Sequence, residues 1–82
     1  MSVQLQPARV ATLRRDGEQG LLVLAEGQLV AVLVQLSDAY GEDTGKWHLE
    51  AAFGRVAHPS ADIFADLDEA QAWIEERLRQ AA

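Results

Sequence analysis

Residues 21–36, LLVLAEGQLVAVLVQL, form the one long apolar stretch of the chain, and the other segments must pack around it. The pair Glu26-Gly27 separates two runs of leucine, valine and alanine, a pattern that predicts a tight turn between two strands. A single buried helix is disfavoured, because Gly27 would lie near its middle and cost about 1 kcal/mol relative to alanine. The stretch therefore predicts a β-hairpin.

A two-residue turn fixes which residues of the hairpin face each other. We expect Ala25 opposite Gln28, Leu24 opposite Leu29, Val23 opposite Val30, Leu22 opposite Ala31 and Leu21 opposite Val32. One face then carries Leu21, Val23, Ala25, Val30, Val32, Val34 and Leu36, and the other carries Leu22, Leu24, Leu29, Ala31 and Leu33. Because both faces are apolar, the sheet needs a cover on each side.

Further segments are predicted to extend the hairpin into a sheet. Residues 9–15 alternate weakly and lead into the turn signal Asp16-Gly17, which indicates a first strand. Residues 1–8 read as an edge strand or a loose arm, since Pro7 cannot donate a ladder hydrogen bond. After a loop at residues 37–45, residues 46–53 alternate again. Trp47, Leu49, Ala51 and Phe53 are expected on the dry side of this strand, and Ile63 and Phe64 are expected to add core contacts.

The end of the chain carries a strong helix pattern. Asp66 is placed to cap the helix, and Glu69, three residues later, is placed to reach back in a capping-box arrangement. An apolar stripe with 3.6-residue spacing follows, and it is expected to face the sheet. Its members are Leu67, Ala70, Ile74 and Leu78, with Trp73 beside them. The pattern predicts one C-terminal helix of about sixteen residues.

These elements predict an α+β fold in a single domain, residues 1–82, with a three- to four-stranded antiparallel sheet and one C-terminal helix packed on one face. One helix covers only one face of the sheet. The N-terminal segment, strong curling of the sheet or a second copy of the chain would cover the other. Because monomers rarely expose an apolar patch of more than a few hundred Å², we expect a symmetric homodimer through the sheet face or a strand edge.

Composition restricts the classes of function. The chain of 82 residues has a net charge of −6, which opposes non-specific binding to phosphates. It has no cysteine, which excludes a disulfide framework, a thiolate metal site and thiol catalysis. No run reaches the roughly 18 apolar residues of a membrane span, and the first residues lack the features of a signal peptide. We therefore expect a cytoplasmic protein that does not enter membranes.

Potential metal ligands do not follow a known spacing. His48 and Glu50, with His58 and Asp62, offer nitrogen and oxygen ligands that zinc accepts, but they match no zinc signature. We interpret His48 and Glu50 as an exposed polar pair on a strand. The acidic loop around Tyr40, with Asp38, Glu42 and Asp43, lacks the EF-hand order. The sequence thus predicts no metal site.

Catalytic patterns are also missing. The hydroxyl groups of Ser37, Thr44 and Ser60 lie in no G-x-S-x-G turn, and the glycines are scattered turn residues rather than a phosphate-binding loop. The carboxylates of the helix are expected to face water, where their acidities are not tuned for acid or base catalysis. We expect no enzyme activity, no cofactor and no small-molecule substrate.

Two resemblances concern the second half of the chain. The first is to the arm-binding domains of phage-type integrases, and it rests on Trp47, Phe64, Ala70 and Trp73. This resemblance would imply strands that lie in a DNA groove. The strands of those domains are basic, however, whereas this chain is acidic. The same half resembles small bacterial sheet-plus-helix proteins of unknown function. That second resemblance rests on Trp47, Leu49, Glu50, Phe64, Leu67, Asp68, Glu69, Ala70 and Trp73. It implies a compact domain without an assigned activity.

The prediction for function is a small non-enzymatic protein-interaction or homo-oligomerisation module. Its contact surface is the sheet face left bare by the helix, with Val30, Val32, Val34 and Leu36 as interface residues or, if the helix covers these, Leu22, Leu24 and Leu29. One alternative is nucleic-acid binding through basic residues of the sheet, namely Arg14, Arg15, Lys46 and Arg55. Another is an acidic mimic of nucleic acid that uses the carboxylates of the helix.

Overall fold

The computed structural model describes residues 3–11, 18–57 and 63–80. In these ranges, five strands form one antiparallel sheet in sequence order, and one helix follows them. The strands are β1 Gln4–Val10, β2 Glu18–Ala25, β3 Gln28–Gln35, β4 Trp47–Ala52 and β5 Ile63–Phe64; the helix α1 is Leu67–Arg79, and two 3₁₀ turns are Asp38–Asp43 and Gly54–Val56. The predicted α+β class is confirmed.

The strand count differs from the expected three or four. The strand predicted at residues 9–15 is wrong in position, because β1 already ends at Val10 and Ala11 is not in a strand; residues 12–15 lie outside the described residues. Residues 1–8 were expected to form an edge strand or an arm, and this segment supplies most of β1. β5 is only two residues long, too short for an alternating pattern. Phe64 is buried as expected, but the core contact predicted for Ile63 is wrong, since it is 49% exposed.

The hairpin turn lies where the sequence predicts it. Glu26 and Gly27 both have positive φ, 52° and 80°, as a turn with two left-handed residues requires. The predicted partners of Ala25 and Leu24 are also confirmed, Gln28 and Leu29. The two-residue connection therefore sets the pairing next to the turn.

Beyond Leu24 the predicted pairing is wrong by one residue. A bulge leaves Val30 without a partner in β2, so that Val23 faces Ala31, Leu22 faces Val32 and Leu21 faces Leu33. An extra residue moves every later side chain of its strand to the other face. Ala31 and Leu33 therefore lie on the same face as Leu21 and Val23, whereas Val32 and Val34 share the other face with Leu22.

A second bulge reverses the end of β4. Leu33 faces Leu49 and Val32 faces Ala51, which leaves Glu50 as the extra residue. The predicted grouping of Ala51 with Trp47 and Leu49 is therefore wrong. Ala52, which faces Ala31, lies on their side of the sheet instead.

The helix begins as predicted. The side chain of Asp66 accepts a hydrogen bond from the backbone N–H of Glu69 at 2.8 Å, and the Glu69 carboxylate accepts one from the N–H of Ala65 at 2.6 Å. Two N–H groups at the helix start are thus satisfied reciprocally. α1 has 13 residues rather than about sixteen. None of the helices in the described ranges is both long and apolar enough to span a bilayer.

The core lies between α1 and one face of the sheet. Ala70, Ile74 and Leu78 are the buried residues of α1, which confirms the predicted stripe, and Trp73 packs beside them with its ring 5.6 Å from that of Phe64. The sheet and the second 3₁₀ turn supply the rest of this cluster: Val23, Ala25, Ala31, Leu33, Trp47, Leu49, Val56 and Phe64. The helix therefore covers one face, and within residues 3–11, 18–57 and 63–80 no helix packs on the other.

Gly20 holds β1 and β2 in close contact. A Cβ atom at this position would lie 2.5 Å from Val10 Cγ2 and 2.9 Å from the carbonyl oxygen of Leu33, distances that side chains do not tolerate. Because the Leu33 contact is with backbone, a rotamer change cannot relieve it.

We expect Gly20→Ala to lower the free energy of unfolding by about 2 kcal/mol, as measured by urea denaturation. Gln19→Ala, at the exposed neighbouring position, is the matched control, and we expect it to change stability by less than about 0.5 kcal/mol. A Gly20→Ala variant as stable as the control would contradict the close approach of Val10 and of the Leu33 backbone to Gly20.

Candidate interaction surface

The sheet face opposite α1, here called the open face, is assigned by the strand registers. Residues directly opposite each other in antiparallel strands share a face, so Leu22 places its partners on the same side as itself. The open face comprises Gln4, Gln6, Ala8 and Val10 of β1, Glu18, Gly20, Leu22 and Leu24 of β2, Leu29, Val32 and Val34 of β3, His48 and Ala51 of β4, and Ile63 of β5. Its middle is apolar, and its β1 border is polar but uncharged.

One end of the open face is closed by the chain itself. Val34 is only 1% exposed, and Leu36, just after β3, is 5% exposed. Val10 lies directly over the position of Gly20, which is opposite Val34 in the sheet. This end offers little apolar area to a partner.

The end near the hairpin turn remains accessible. Leu22, Leu24 and Val32 are half-buried, and Leu29 is 40% exposed. Phe53, which follows β4 and is 46% exposed, donates its N–H to the carbonyl of Val30 at 2.9 Å. Phe53 lies around one groove with Leu29 and with Leu78 of α1. The accessible apolar side chains of the open face near the turn are therefore Leu22, Leu24, Leu29 and Val32.

The predicted interface residues do not share one exposed surface. Val30 packs against the core cluster, and Val34 and Leu36 are buried. Of the four, only Val32 lies in the accessible part of the open face. The structure groups it with Leu22, Leu24 and Leu29, the set that the straight pairing placed on the opposite face. The interface itself stays a prediction, now centred on these four residues.

A groove of about 750 Å³, here called the hairpin groove, lies at the end of the sheet between the hairpin turn, the second 3₁₀ turn and the last part of α1. Leu29, Val30, Phe53 and Leu78 are among its apolar lining residues, and Glu26 and Arg55 are among its polar ones. Val30 is the extra residue of the first bulge. The bulge therefore helps to shape the groove as well as to assign the faces.

The predicted polar pair of β4 is present. His48 Nδ1 lies 3.4 Å from Glu50 Oε1, with the two side chains 28% and 39% exposed. In residues 3–11, 18–57 and 63–80, no three His, Asp or Glu side chains are grouped as a metal site would need. His58 and Asp62 lie outside the described residues.

The other polar candidates are engaged locally. Asp43 accepts a hydrogen bond from Lys46 at 3.0 Å, and Glu42 is exposed; nothing is described of the side chains of Asp38 and Tyr40. The Thr44 hydroxyl donates to the carbonyl oxygen of Ser37 at 3.1 Å. Ser60 lies outside the described residues. These contacts hold the loop between β3 and β4 in place.

The basic residues considered for nucleic-acid binding are not brought together where the structure describes them. Lys46 precedes β4 and Arg55 follows it, so the length of the strand, about 20 Å, separates them. Lys46 is moreover paired with Asp43. Arg14 and Arg15 lie outside the described residues. The geometry does not build a cationic surface from Lys46 and Arg55.

The carboxylates of α1 are partly committed to the helix. Asp66 and Glu69 accept hydrogen bonds from backbone N–H groups at its start, and Glu76 pairs with Arg79. Arg77 lies over the ring of Trp73 at 5.4 Å and donates to the carbonyl of Ala57. These contacts stabilise the helix and do not form a row of free carboxylates.

Known proteins provide no independent assignment. Two resemblances stay predictions: the one to phage-type integrase arm-binding domains and the one to small bacterial sheet-plus-helix proteins. A proposal for function rests on the geometry of the open face. Searches against protein-family models, curated proteins and solved structures find no match to this chain.

Proposed function

We propose that this domain is a non-enzymatic protein-interaction module that forms a homodimer through the accessible part of its open face. The observation that carries this proposal is the position of Leu22, Leu24, Leu29 and Val32 on the side of the sheet away from α1, with none of them fully buried. Contact with a second apolar surface removes apolar side chains of a sheet face from water, which lowers the free energy of the complex.

The charge distribution allows a second copy to be the partner. Each chain carries a net charge of −6, so two copies repel each other at long range. Many of the acidic side chains lie on α1, on the other side of the sheet. The open face has two titratable positions, His48, which has Glu50 beside it, and Glu18, which lies opposite Val10 at the closed end. Contact through the open face therefore brings two acidic chains together with little local repulsion.

The size of the surface predicts a weak dimer. Four strands about 4.8 Å apart and about six residues long, with a rise of about 3.3 Å per residue, give the whole open face an area of about 400 Å² in each copy, and the accessible part is less than half of it. Two such faces therefore bury at most about 800 Å², which is below the standard size of specific protein interfaces. We expect a dissociation constant on the order of 10 µM.

Sedimentation equilibrium between about 1 and 200 µM tests the proposal. The wild-type mass is expected to rise from 9.0 kDa towards twice that value. Leu24→Asp and Val32→Asp are each expected to weaken association by at least about 30-fold, because each places a carboxylate in the apolar contact. Both variants act on the same face, since the bulge places Val32 beside Leu22 and near Leu24.

Ala72→Asp is the matched control, because it adds the same charge at an exposed position of α1. It is expected to associate as the wild type does. Circular dichroism checks that each variant is folded, and Leu29→Asp replaces any variant that is not, since Leu29 is already 40% exposed. A wild-type protein that stays at 9.0 kDa throughout, or folded open-face variants that still dimerise, would refute the proposal.

A further inference from the structure

We infer that Pro7 prevents the free edge of β1 from pairing with a strand of another copy, so that copies of this protein do not join edge to edge. β1 is the first strand of the sheet, and among the described strands it pairs with β2 alone. It is seven residues long, whereas β5 at the other end of the sheet has two residues. A free edge as long as that of β1 is a template for the addition of a further strand.

Hydrogen bonds at the end of β3 show in which direction the backbone groups of the sheet point. The N–H of Leu36, which directly follows β3, donates to the carbonyl of Lys46 at 2.8 Å, so Leu36 directs its backbone groups towards the side of β4. The direction alternates along a strand, and Leu33 therefore directs its groups towards β2. Its partner Leu21 faces β3 in return, and the residues next to Leu21 face β1.

The same alternation continues into β1. The residues of β2 that face β1 are paired with Gln4, Gln6, Ala8 and Val10. These four direct their backbone groups into the sheet, and the three residues between them direct theirs to the free edge. Pro7 is the central one of the three, and it is exposed. Because proline has no N–H, the middle of the free edge lacks a donor.

The missing donor opposes strand addition by a second copy. In an antiparallel pair of two β1 strands, each copy contributes three outward residues, one of which is Pro7, so two of at most six N–H donors are missing. The proline ring lies where each of these hydrogens would be. Carbonyl groups that face it lose their contact with water and gain no hydrogen bond, which costs free energy.

Other features that protect sheet edges are weak in β1. Natural edges are often short, bulged or rich in charge. The pairing of β1 with β2 runs through seven consecutive residue pairs without a shift of register. Arg9 is the only charged residue of the strand. Pro7 is therefore the feature of β1 that protects this edge.

Hydrogen exchange of a Pro7→Thr variant tests the direction of the backbone at this position. Threonine restores the N–H and favours a strand. At about 20 µM the new amide is expected to exchange within about 10-fold of the rate in an unstructured peptide, whereas the amides of Gln6 and Ala8 are expected to be slowed at least about 100-fold. Slow exchange of the new amide at this concentration would show that it faces β2, and it would overturn the inference.

Sedimentation equilibrium up to about 1 mM tests the effect on association. Leu24→Asp is the common background, because it weakens contact through the open face. Adding Pro7→Thr is expected to strengthen association at least about 10-fold, and exchange of the new amide is expected to slow as concentration rises. Gln6→Thr is the matched control, since it introduces the same side chain at an exposed position whose N–H already faces β2. It is expected to associate as the background does.

The outcomes bear on the edge alone. Pro7→Val replaces Pro7→Thr if circular dichroism shows that the threonine variant is not folded. A folded variant that associates no more than the background would overturn the inference, and so would an equal gain in Gln6→Thr, because strand propensity would then explain it. A wild-type protein that stays monomeric would refute the open-face dimer and leave this comparison unchanged.

Discussion

Replacing Leu33 by aspartate is expected to unfold the domain, whereas the same change at its neighbour Val32 is expected to leave the domain folded. Leu33 is buried in the cluster between the sheet and α1, and Val32 lies half-buried on the open face. Burying an unpaired carboxylate and losing the leucine contacts costs about 4 kcal/mol or more. A domain of this size has a total stability of about 4 to 12 kcal/mol.

At Val32 the added carboxylate can reach water, so the cost is about 1 to 2 kcal/mol, mainly from lost packing and lower strand propensity. Thermal unfolding followed by circular dichroism distinguishes the two variants, since a cooperative transition is expected for Val32→Asp only. The straight, unbulged pairing places Val32 with the other valines and Leu33 on the opposite face. The reverse result, a folded Leu33→Asp protein and an unfolded Val32→Asp protein, would therefore show that the bulge at Val30 is absent in solution.

Truncating Ile74 to alanine is expected to lower the free energy of unfolding by about 3 to 4 kcal/mol. Ile74 is completely buried at the middle of α1 and is one of the largest buried side chains of the protein. Its removal leaves a cavity between helix and sheet that the central strands cannot close. The loss is large compared with the stability of a small domain.

Urea denaturation measures this loss, with Ile74→Val as the graded control. The valine variant keeps most of the side chain and is expected to lose about 1 kcal/mol. Ala72→Gly, at an exposed position of the same helix, separates helix propensity from packing and is expected to cost about 1 kcal/mol. If Ile74→Ala costs no more than Ala72→Gly, then α1 does not pack on the sheet as described.

The pattern of residues identified the proposed contact surface only in general terms. An apolar hairpin with a single helical cover implied a bare face, and among the described residues one end of the face opposite α1 is accessible while the other end is buried. The straight pairing predicted Ala31 on the same face as Leu22 and Leu24. In the structure the bulge places Val32 on that face, and Ala31 lies on the other. The hairpin groove had no sequence signal, because Glu26 is far in sequence from Phe53 and Arg55 and only the tertiary structure brings them to one groove.

Local chemistry was enough to predict the hairpin turn and the start of the helix. Glu26-Gly27 supplies the left-handed turn, and Asp66 with Glu69 supplies the cap, since each depends on contacts between residues at most four apart. The α+β class followed from the change of apolar period between the hairpin and α1. These features do not depend on the rest of the molecule.

The assignment of faces required the folded sheet. Residues 21–36 carry leucine, valine or alanine at nearly every position, so either alternation gives two apolar faces, and the pattern contains no information about which residues point to α1. The choice is made by the bulges at Val30 and Glu50, which depend on how the twisted strands pack under the helix. Local residue preferences specify turns and caps, whereas the face that each central side chain occupies is a property of the packed sheet.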